Sequence, residues 1–95
     1  MNKQEKLIKE MIPYIWYLFI RYLNNPNYLV QQSDLLIKVF MKKTEVSSFI
    51  KDINNKLEEI VGTTDFRPIT YKEVDDLTYG EVLHQIIYYY GNNKI

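Results

Sequence analysis

The clearest structural signal in the sequence is the stretch TEVSSFIKDINNKLEEIVG at residues 44–62. Its apolar residues recur every three or four positions, which is the spacing of one face of an α-helix. We expect Thr44 to cap the start of this helix and Gly62 to end it. The apolar stripe consists of Val46, Phe49, Ile50, Ile53, Leu57, Ile60 and Val61. The opposite face carries Ser47, Ser48, Lys51, Asp52, Asn54, Asn55 and Lys56.

An earlier apolar stretch predicts a partner helix over residues 3–23. Its core-facing positions, spaced by three and four, are Leu7, Ile8, Met11, Ile12, Ile15, Phe19 and Tyr22. We expect Ile12, Ile15 and Phe19 to pack against the stripe of the 44–62 helix. Pro13 cannot donate to the helical ladder, so it kinks or divides the first helix. From Pro13 to Leu23 nearly every residue is apolar or aromatic, and a helix that is apolar all round is either central in the core or shared with another chain.

The remaining elements follow from helix breakers and caps. Asn24-Asn25-Pro26-Asn27 breaks the first helix, and Ser33 starts a second helix that runs to Lys42. Residues 63–69 are predicted to be irregular. Two capping boxes follow, Thr70 to Glu73 and Thr78 to Glu81, in which threonine and glutamate satisfy each other's backbone donors. The first predicts a short turn of helix through Asp76, and the second predicts a final helix from Tyr79 to Tyr90 that Gly91 ends.

Length and composition limit the fold to one small domain. The chain has 95 residues, 46% of them hydrophobic, and no cysteine. Disulfides and cysteine-based zinc sites are therefore excluded. Twelve basic residues balance twelve acidic ones, so the strong positive charge of an obligate nucleic-acid coat is missing. We predict an all-α single-domain bundle of four to five helices over residues 1–95.

The codon bias behind the composition points to an origin. The chain has no alanine, while Ile, Lys, Asn, Tyr and Phe make up 43 of the 95 residues. These five residues have AT-rich codons, so we expect an AT-rich genome, phage or mobile element as the source. The same bias raises the number of tyrosines without selection for their chemistry.

The apolar segment from Met11 to Ile20 superficially resembles a signal peptide because Lys3, Lys6 and Lys9 precede it. No small-residue cleavage site follows it. The stretch is also shorter than the roughly 20 apolar residues of a membrane-spanning helix. We expect a cytoplasmic protein that does not interact with a membrane.

The residues that carry catalysis in enzymes are scarce. His84 is the only histidine, and Glu81-x-x-His84 is one copy of a spacing that metal sites in helical bundles use in duplicate. We expect His84 to be a partly buried structural residue. The acidic residues Glu73, Asp75, Asp76 and Glu81 are expected to form a solvated surface, and the three glycines are too far apart to form a phosphate-binding loop. We therefore predict no enzyme activity, no cofactor and no metal.

The surplus of aromatic residues favours a protein interface. Three consecutive helical residues point about 100° apart, so Tyr88, Tyr89 and Tyr90 cannot all face one small core. The same argument exposes Trp16 or Tyr17. Tyrosine and tryptophan are enriched at interfaces. We predict that these five residues bind a partner protein or a second copy of the chain.

A DNA-binding alternative remains open. The predicted helix 33–42, the turn at Lys43-Thr44 and the helix 45–61 have helix-turn-helix proportions, and segment 63–69 would serve as a small wing. The side chains predicted to touch DNA are Ser47, Ser48, Lys51, Asn54, Asn55 and Arg67. Leu57-Glu58, Asp65-x-Arg67 and Leu77-Thr78 resemble landmarks of the MarR-type winged helix, although the glycine which that family has in the turn after the helix is missing here. Residues 1–61 carry nine bases and seven acids, a small positive excess for binding phosphates.

Overall fold

The computed structural model describes residues 3–23, 25, 27 and 29–91. Four α-helices lie in these residues: α1 (Lys3–Leu23), α2 (Leu36–Phe40), α3 (Lys43–Val61) and α4 (Tyr79–Ile86). A 3-10 turn at Val74–Asp76 precedes α4, and a π-helical turn at Ile87–Gly91 follows it. The described residues contain no strand, and the one bridge among them joins Leu35 to Thr78. The predicted all-α class is confirmed.

The four helices meet at one aromatic cluster, in which each supplies a ring. Phe19 of α1 stacks on Phe49 of α3 at 5.0 Å between ring centroids. It also contacts Phe40 of α2 at 5.8 Å and Tyr79 of α4 at 5.1 Å. All four rings are buried. Such a cluster contributes both a large buried apolar area and favourable ring geometry, so it anchors every helix of the fold.

The predicted stripe of α3 is confirmed over most of its length. Val46, Phe49, Ile50, Ile53 and Leu57 are buried, and Ile60 and Val61 at the end of the helix are partly buried. Gly62 ends the helix with a positive φ of 87°.

The predicted cap of α3 at Thr44 is wrong, because the helix begins one residue earlier. Met41 adopts a left-handed conformation with φ 69° and ends α2. Lys42 is extended and is the residue that precedes α3. The connection between α2 and α3 is therefore only two residues long, which leaves Thr44 inside the first turn of α3.

The first helix is predicted correctly in its bounds but not in all of its buried face. Leu7, Met11, Ile15, Leu18 and Phe19 are buried. Ile8 and Ile12 remain 46% and 41% exposed, so their predicted position in the core is wrong. Ile8 and Ile12 border an open space beside α4, whereas Leu18, which the predicted face omits, is fully buried. Pro13 does not divide α1 in two, and Asn24 and Pro26 of the predicted break lie outside the described residues.

The second helix is shorter than predicted, and Ser33 does not cap it. The backbone before α2 is bound to the segment that precedes α4. The amide of Leu36 donates to the carbonyl of Leu77 at 2.9 Å, and the amide of Tyr79 donates to the carbonyl of Asp34 at 3.1 Å. These bonds hold residues 34 and 35 out of helical geometry, so α2 begins at Leu36.

Of the two predicted capping boxes, only the second forms. Thr78 and Glu81 bond reciprocally at the start of α4, as predicted. Thr70 is instead bound by Gln85, and the 3-10 turn that follows starts without a side-chain cap. Helical structure after α4 reaches Gly91, the last described residue, although the final turn is π-helical.

Candidate functional site

An apolar groove of about 720 Å³ lies between α1 and α4. Ile8 and Ile12 form one wall, and Leu83 and Ile87 form the other. Ile87 is 57% exposed, so both walls leave large apolar side chains in contact with water. The buried side chains of Met11, Ile15 and Ile86 complete the lining.

The groove exists because α4 is held against α1 at both ends. At the start of α4, the ring of Tyr79 packs against the rings of Trp16 and Phe19, at 6.4 and 5.1 Å. After α4, the turn at Ile87–Gly91 packs on α1. The groove is the space between these two contacts, and no side chain of the described residues fills it.

A close backbone contact ends the groove beside Thr78. The amide of Gly80 donates to the carbonyl of Gln32 at 2.8 Å. A Cβ atom at residue 80 would lie 2.9 Å from that carbonyl oxygen, which is closer than van der Waals contact allows. Glycine at this position therefore lets the turn at Gln32 seal the end of the groove.

Polar side chains line the groove near this end. Glu81 accepts a hydrogen bond from the backbone amide of Thr78 at 3.3 Å, and the amide of Glu81 donates to the Thr78 hydroxyl at 3.1 Å. His84, one helical turn later, is exposed. The predicted partial burial of His84 is therefore wrong, because the face that it shares with Glu81 points to solvent. Among the described residues, no group of three or more histidine, aspartate or glutamate side chains is arranged to hold a metal ion.

An acidic depression of about 640 Å³ adjoins the groove. We use this name for the surface lined by Glu73, Asp76, Glu81 and Lys72, together with Thr70, Tyr71 and Leu77. Glu81 lines both the depression and the groove. Asp75, between the other carboxylates in sequence, lies 3.7 Å from the ammonium of Lys43.

On the other flank of α4, residues 67–70, which belong to no helix or strand, form what we call the strap. Three side chains bind the strap, each to a different strap residue. Each side chain accepts a hydrogen bond from the backbone amide of its residue and donates one to the backbone carbonyl. Asn54 of α3 does so for Ile69, with distances of 2.7 and 3.3 Å. Gln85 does so for Thr70, at 3.0 and 2.8 Å. These side-chain hydrogen bonds take the place of the backbone hydrogen bonds that a neighbouring strand would supply.

The third strap contact comes from the tyrosine run. The hydroxyl of Tyr90 accepts from the amide of Arg67 at 2.6 Å and donates to the carbonyl of the same residue. Burial raises the pKa of the Tyr90 hydroxyl, so it stays protonated and able to donate. Tyr90 therefore has a structural role in the strap.

The structure does not bring the five predicted partner-binding residues into one patch. Trp16 is partly buried against Phe19 at 5.4 Å. Tyr17 is 54% exposed and lies beside Tyr14 at 6.1 Å. Tyr88 and Tyr89 are exposed and contact each other at 5.4 Å. Within the described part of the chain, no ring contact links Trp16 or Tyr17 to the run at Tyr88, Tyr89 and Tyr90.

Some of the predicted DNA-binding residues are exposed to solvent, and others form contacts within the protein. Ser48, Lys51 and Asn55 of α3 are exposed. Ser47 is exposed too, with its hydroxyl 3.3 Å from that of Tyr71. Asn54 is bound to the strap, and Arg67 lies in it with an exposed side chain. The described residues 63–69 form no strand, so the segment predicted to be a wing is a strap on the helices.

The nearly continuous apolar and aromatic residues from Pro13 to Leu23 indicated a helix that is central in the core or shared with another chain, and the outer side of this helix is exposed. The sequence contained no comparable signal for the strap. Asn54 and Gln85 are amides on the partly polar sides of α3 and α4, but nothing in their spacing shows that they bind one extended segment.

No helix of the described residues is both long and apolar enough to cross a membrane. Comparison with protein-family models, curated proteins and solved structures finds no match to this chain.

Proposed function

We propose that this chain is a non-catalytic interaction protein that binds a partner protein through the groove between α1 and α4. The observation that carries the proposal is the exposure of three isoleucines around it: Ile8, Ile12 and Ile87. Exposed apolar surface of this kind, rimmed by polar residues, is characteristic of binding sites. An adaptor, inhibitor, immunity factor or assembly chaperone would use such a surface.

The form of the groove favours a helical segment of the partner. Both walls are helices, and a third helix laid between them would complete a layer of helix packing. Recognition of an amphipathic helix by an apolar groove is a common binding mode, in which residues spaced by three and four supply the anchors.

Two isoleucines of α1 allow a controlled test of the groove. Ile8 lines the groove and Ile20 does not, yet both are 46% exposed. We propose Ile8→Asp as the disrupting variant and Ile20→Asp as its matched control in a quantitative pull-down from cells that express the gene. We expect the wild type and Ile20→Asp to retain one protein that Ile8→Asp loses. Equal retention by both variants, or no retained protein, would contradict the proposal.

We further propose a cytoplasmic protein encoded by a phage or mobile element. The high content of residues that have AT-rich codons, together with the lack of alanine, supports this origin. The proposed interaction requires neither a membrane nor a cofactor.

A DNA-binding regulator is the second candidate, favoured by one observation. Ser48, Lys51 and Asn55 are exposed on α3, which follows α2 after a two-residue connection. Asn54, which is bound to the strap, is not available to touch a base. Replacing Lys51 by Ala should lower DNA affinity and flatten its salt dependence if this candidate is right. An unchanged salt dependence would exclude it.

A further inference from the structure

The charged side chains around the groove lie at one end, and the carboxylates among them outnumber the ammonium groups. Where the groove meets the acidic depression, three carboxylates, those of Glu73, Asp76 and Glu81, share the surface with the single ammonium of Lys72. Glu73 and Asp76 are exposed, so both carboxylates are accessible to a partner. Glu81 lines the groove as well, which makes the acidic depression and the groove one continuous surface.

The rest of the groove lining carries no second charge that would offset these carboxylates. The walls are apolar, and the remaining polar side chains are the neutral Gln32, Ser33, Thr78 and Gln85 together with His84. A segment in the groove with acidic residues at this end would meet like charges, which disfavours binding. A segment with lysine or arginine there would meet opposite charges.

We infer that the groove and the acidic depression together bind a cationic amphipathic helix of a partner protein, with its apolar stripe in the groove and its lysine or arginine side chains in the depression. This inference rests on the proposed function and specifies the chemistry of the partner segment. Along α1 the walls and base run from Ile8 to Ile15, about 10 Å at 1.5 Å per residue. Two turns of a bound helix cover this length, so apolar residues at i, i+3 or i+4, and i+7 are sufficient.

Two synthetic peptides of about four helical turns test the charge preference directly. Both carry leucine at i, i+3, i+4 and i+7. One has lysine at the remaining positions, and the other has glutamate. We expect the lysine peptide to bind about tenfold or more tightly than the glutamate peptide at about 50 mM salt, measured by fluorescence anisotropy, and the difference to shrink at about 200 mM salt. Equal affinities of the two peptides would overturn the inference.

Variants of the protein locate the binding on the surface. The pair Glu73→Gln with Asp76→Asn leaves the capping residue Glu81 intact and should weaken binding of the lysine peptide about three- to tenfold. As a control, Glu58→Gln removes one carboxylate near the C-terminal end of α3, whereas Lys43 lies at the N-terminal end. This control should leave the affinity unchanged. Ile8→Asp should abolish binding, whereas Ile20→Asp should not. An equal loss with Glu58→Gln, or binding that survives Ile8→Asp, would overturn the inference.

The outcomes separate this inference from the proposed function. If Ile8→Asp releases a partner protein from the pull-down while the two peptides bind equally, the proposed function stands and the cationic partner is wrong. If the protein retained in that pull-down is a second copy of this chain, the inference of a separate cationic partner is also wrong. If Ile8→Asp changes neither the pull-down nor peptide binding, both proposals are wrong.

Discussion

The two flanks of α4 differ in what covers them. On one flank, Gln85 of α4 and Tyr90 of the following turn bind the strap, and Ile69 of the strap is buried. On the other flank, Leu83 and Ile87 line an open groove, although Ile8 and Ile12 face it from α1. The chain covers the first flank with its own backbone through directional hydrogen bonds. It leaves the second flank apolar and uncovered, and the proposed partner helix would cover it.

The first helix shows the same contrast between its two neighbours. Towards α3, the Tyr22 hydroxyl donates to the Asp52 carboxylate at 2.7 Å, and the Lys56 ammonium lies 5.4 Å from the centroid of the Tyr14 ring. Towards α4, the side of α1 that carries Ile8 and Ile12 is exposed. Polar contacts therefore accompany the closed side of α1, and the open side is apolar.

The largest expected effect comes from breaking the aromatic cluster that positions both flanks. Replacing Phe19 by Ala removes the ring that contacts Phe40, Phe49 and Tyr79. We expect a loss of about 3–5 kcal/mol in the free energy of unfolding, measured by urea denaturation. Tyr17→Ala, on the exposed side of the same helix, should change it by about 0.5 kcal/mol or less. Similar losses in both variants would contradict the central position of the cluster.

The next effect tests the closed flank through a pair of neighbouring asparagines. Asn54 bonds both backbone groups of the buried Ile69, whereas Asn55 is exposed. Replacing Asn54 by Ala leaves an amide and a carbonyl without their partner, so we expect a loss of about 2–3 kcal/mol. It should also accelerate hydrogen exchange at the Ile69 amide. Asn55→Ala should do neither, and equal effects of the two substitutions would show that the strap is not held in this way.

A smaller effect, with a distinct pH dependence, tests the closed side of α1. Burial, with the hydrogen bond to Asp52, raises the pKa of Tyr22 from 10.0 to about 12. Because the folded pKa lies above the unfolded one, this tyrosine stabilises the fold fully below pH 10, and the stabilisation is lost as the pH rises towards 12. Replacing Tyr22 by Phe should cost about 1 kcal/mol at neutral pH.

Spectrophotometric titration checks the same assignment. We expect Tyr22→Phe to remove a tyrosine that ionises near pH 12. If the titration curve of the variant differs from the wild type only by a tyrosine of ordinary pKa, the bond to Asp52 does not form in solution.

The smallest expected effect on stability comes from the open flank. Ile8→Asp and Ile20→Asp both replace half-exposed side chains, so each should change the free energy of unfolding by about 0.5 kcal/mol or less. Thermal unfolding measures this. A much larger loss with Ile8→Asp than with Ile20→Asp would show that the groove is closed in solution and that Ile8 belongs to the core.

Local sequence patterns were sufficient for the elements whose ends depend on local chemistry. The stripe of α3, the end of α3 at Gly62 and the Thr78–Glu81 capping box each follow from residues within one element. Ser33 and Thr70 failed as caps because distant groups bind the backbone around them: Leu77 and Tyr79 hold the residues before α2, and Gln85 binds Thr70. A capping pattern alone contains no information about such long-range partners.

The groove was beyond sequence reasoning for a related reason. Periodicity indicates which face of α1 is apolar, and it assigned Ile8 and Ile12 to the core. Whether a neighbouring helix covers the edge of that face depends on how α4 sits against α1, which the rings of Trp16, Phe19 and Tyr79 determine. The aromatic surplus was correctly recognised as too large for one core, since Tyr17, Tyr88 and Tyr89 are exposed. Among the described residues, Tyr17 has a ring contact with Tyr14, and Tyr88 has one with Tyr89.

The most direct test of the central claim compares the two flanks of α4 within living cells. A photo-reactive phenylalanine analogue in place of Leu83 lies in the groove. The same analogue in place of Arg67 lies on the strap, because this exposed residue lines neither the groove nor the acidic depression. Our account predicts that irradiation links the chain to another protein from position 83 and gives no such adduct from position 67. Adducts with another protein at equal yield from both positions, or from position 67 alone, would contradict it.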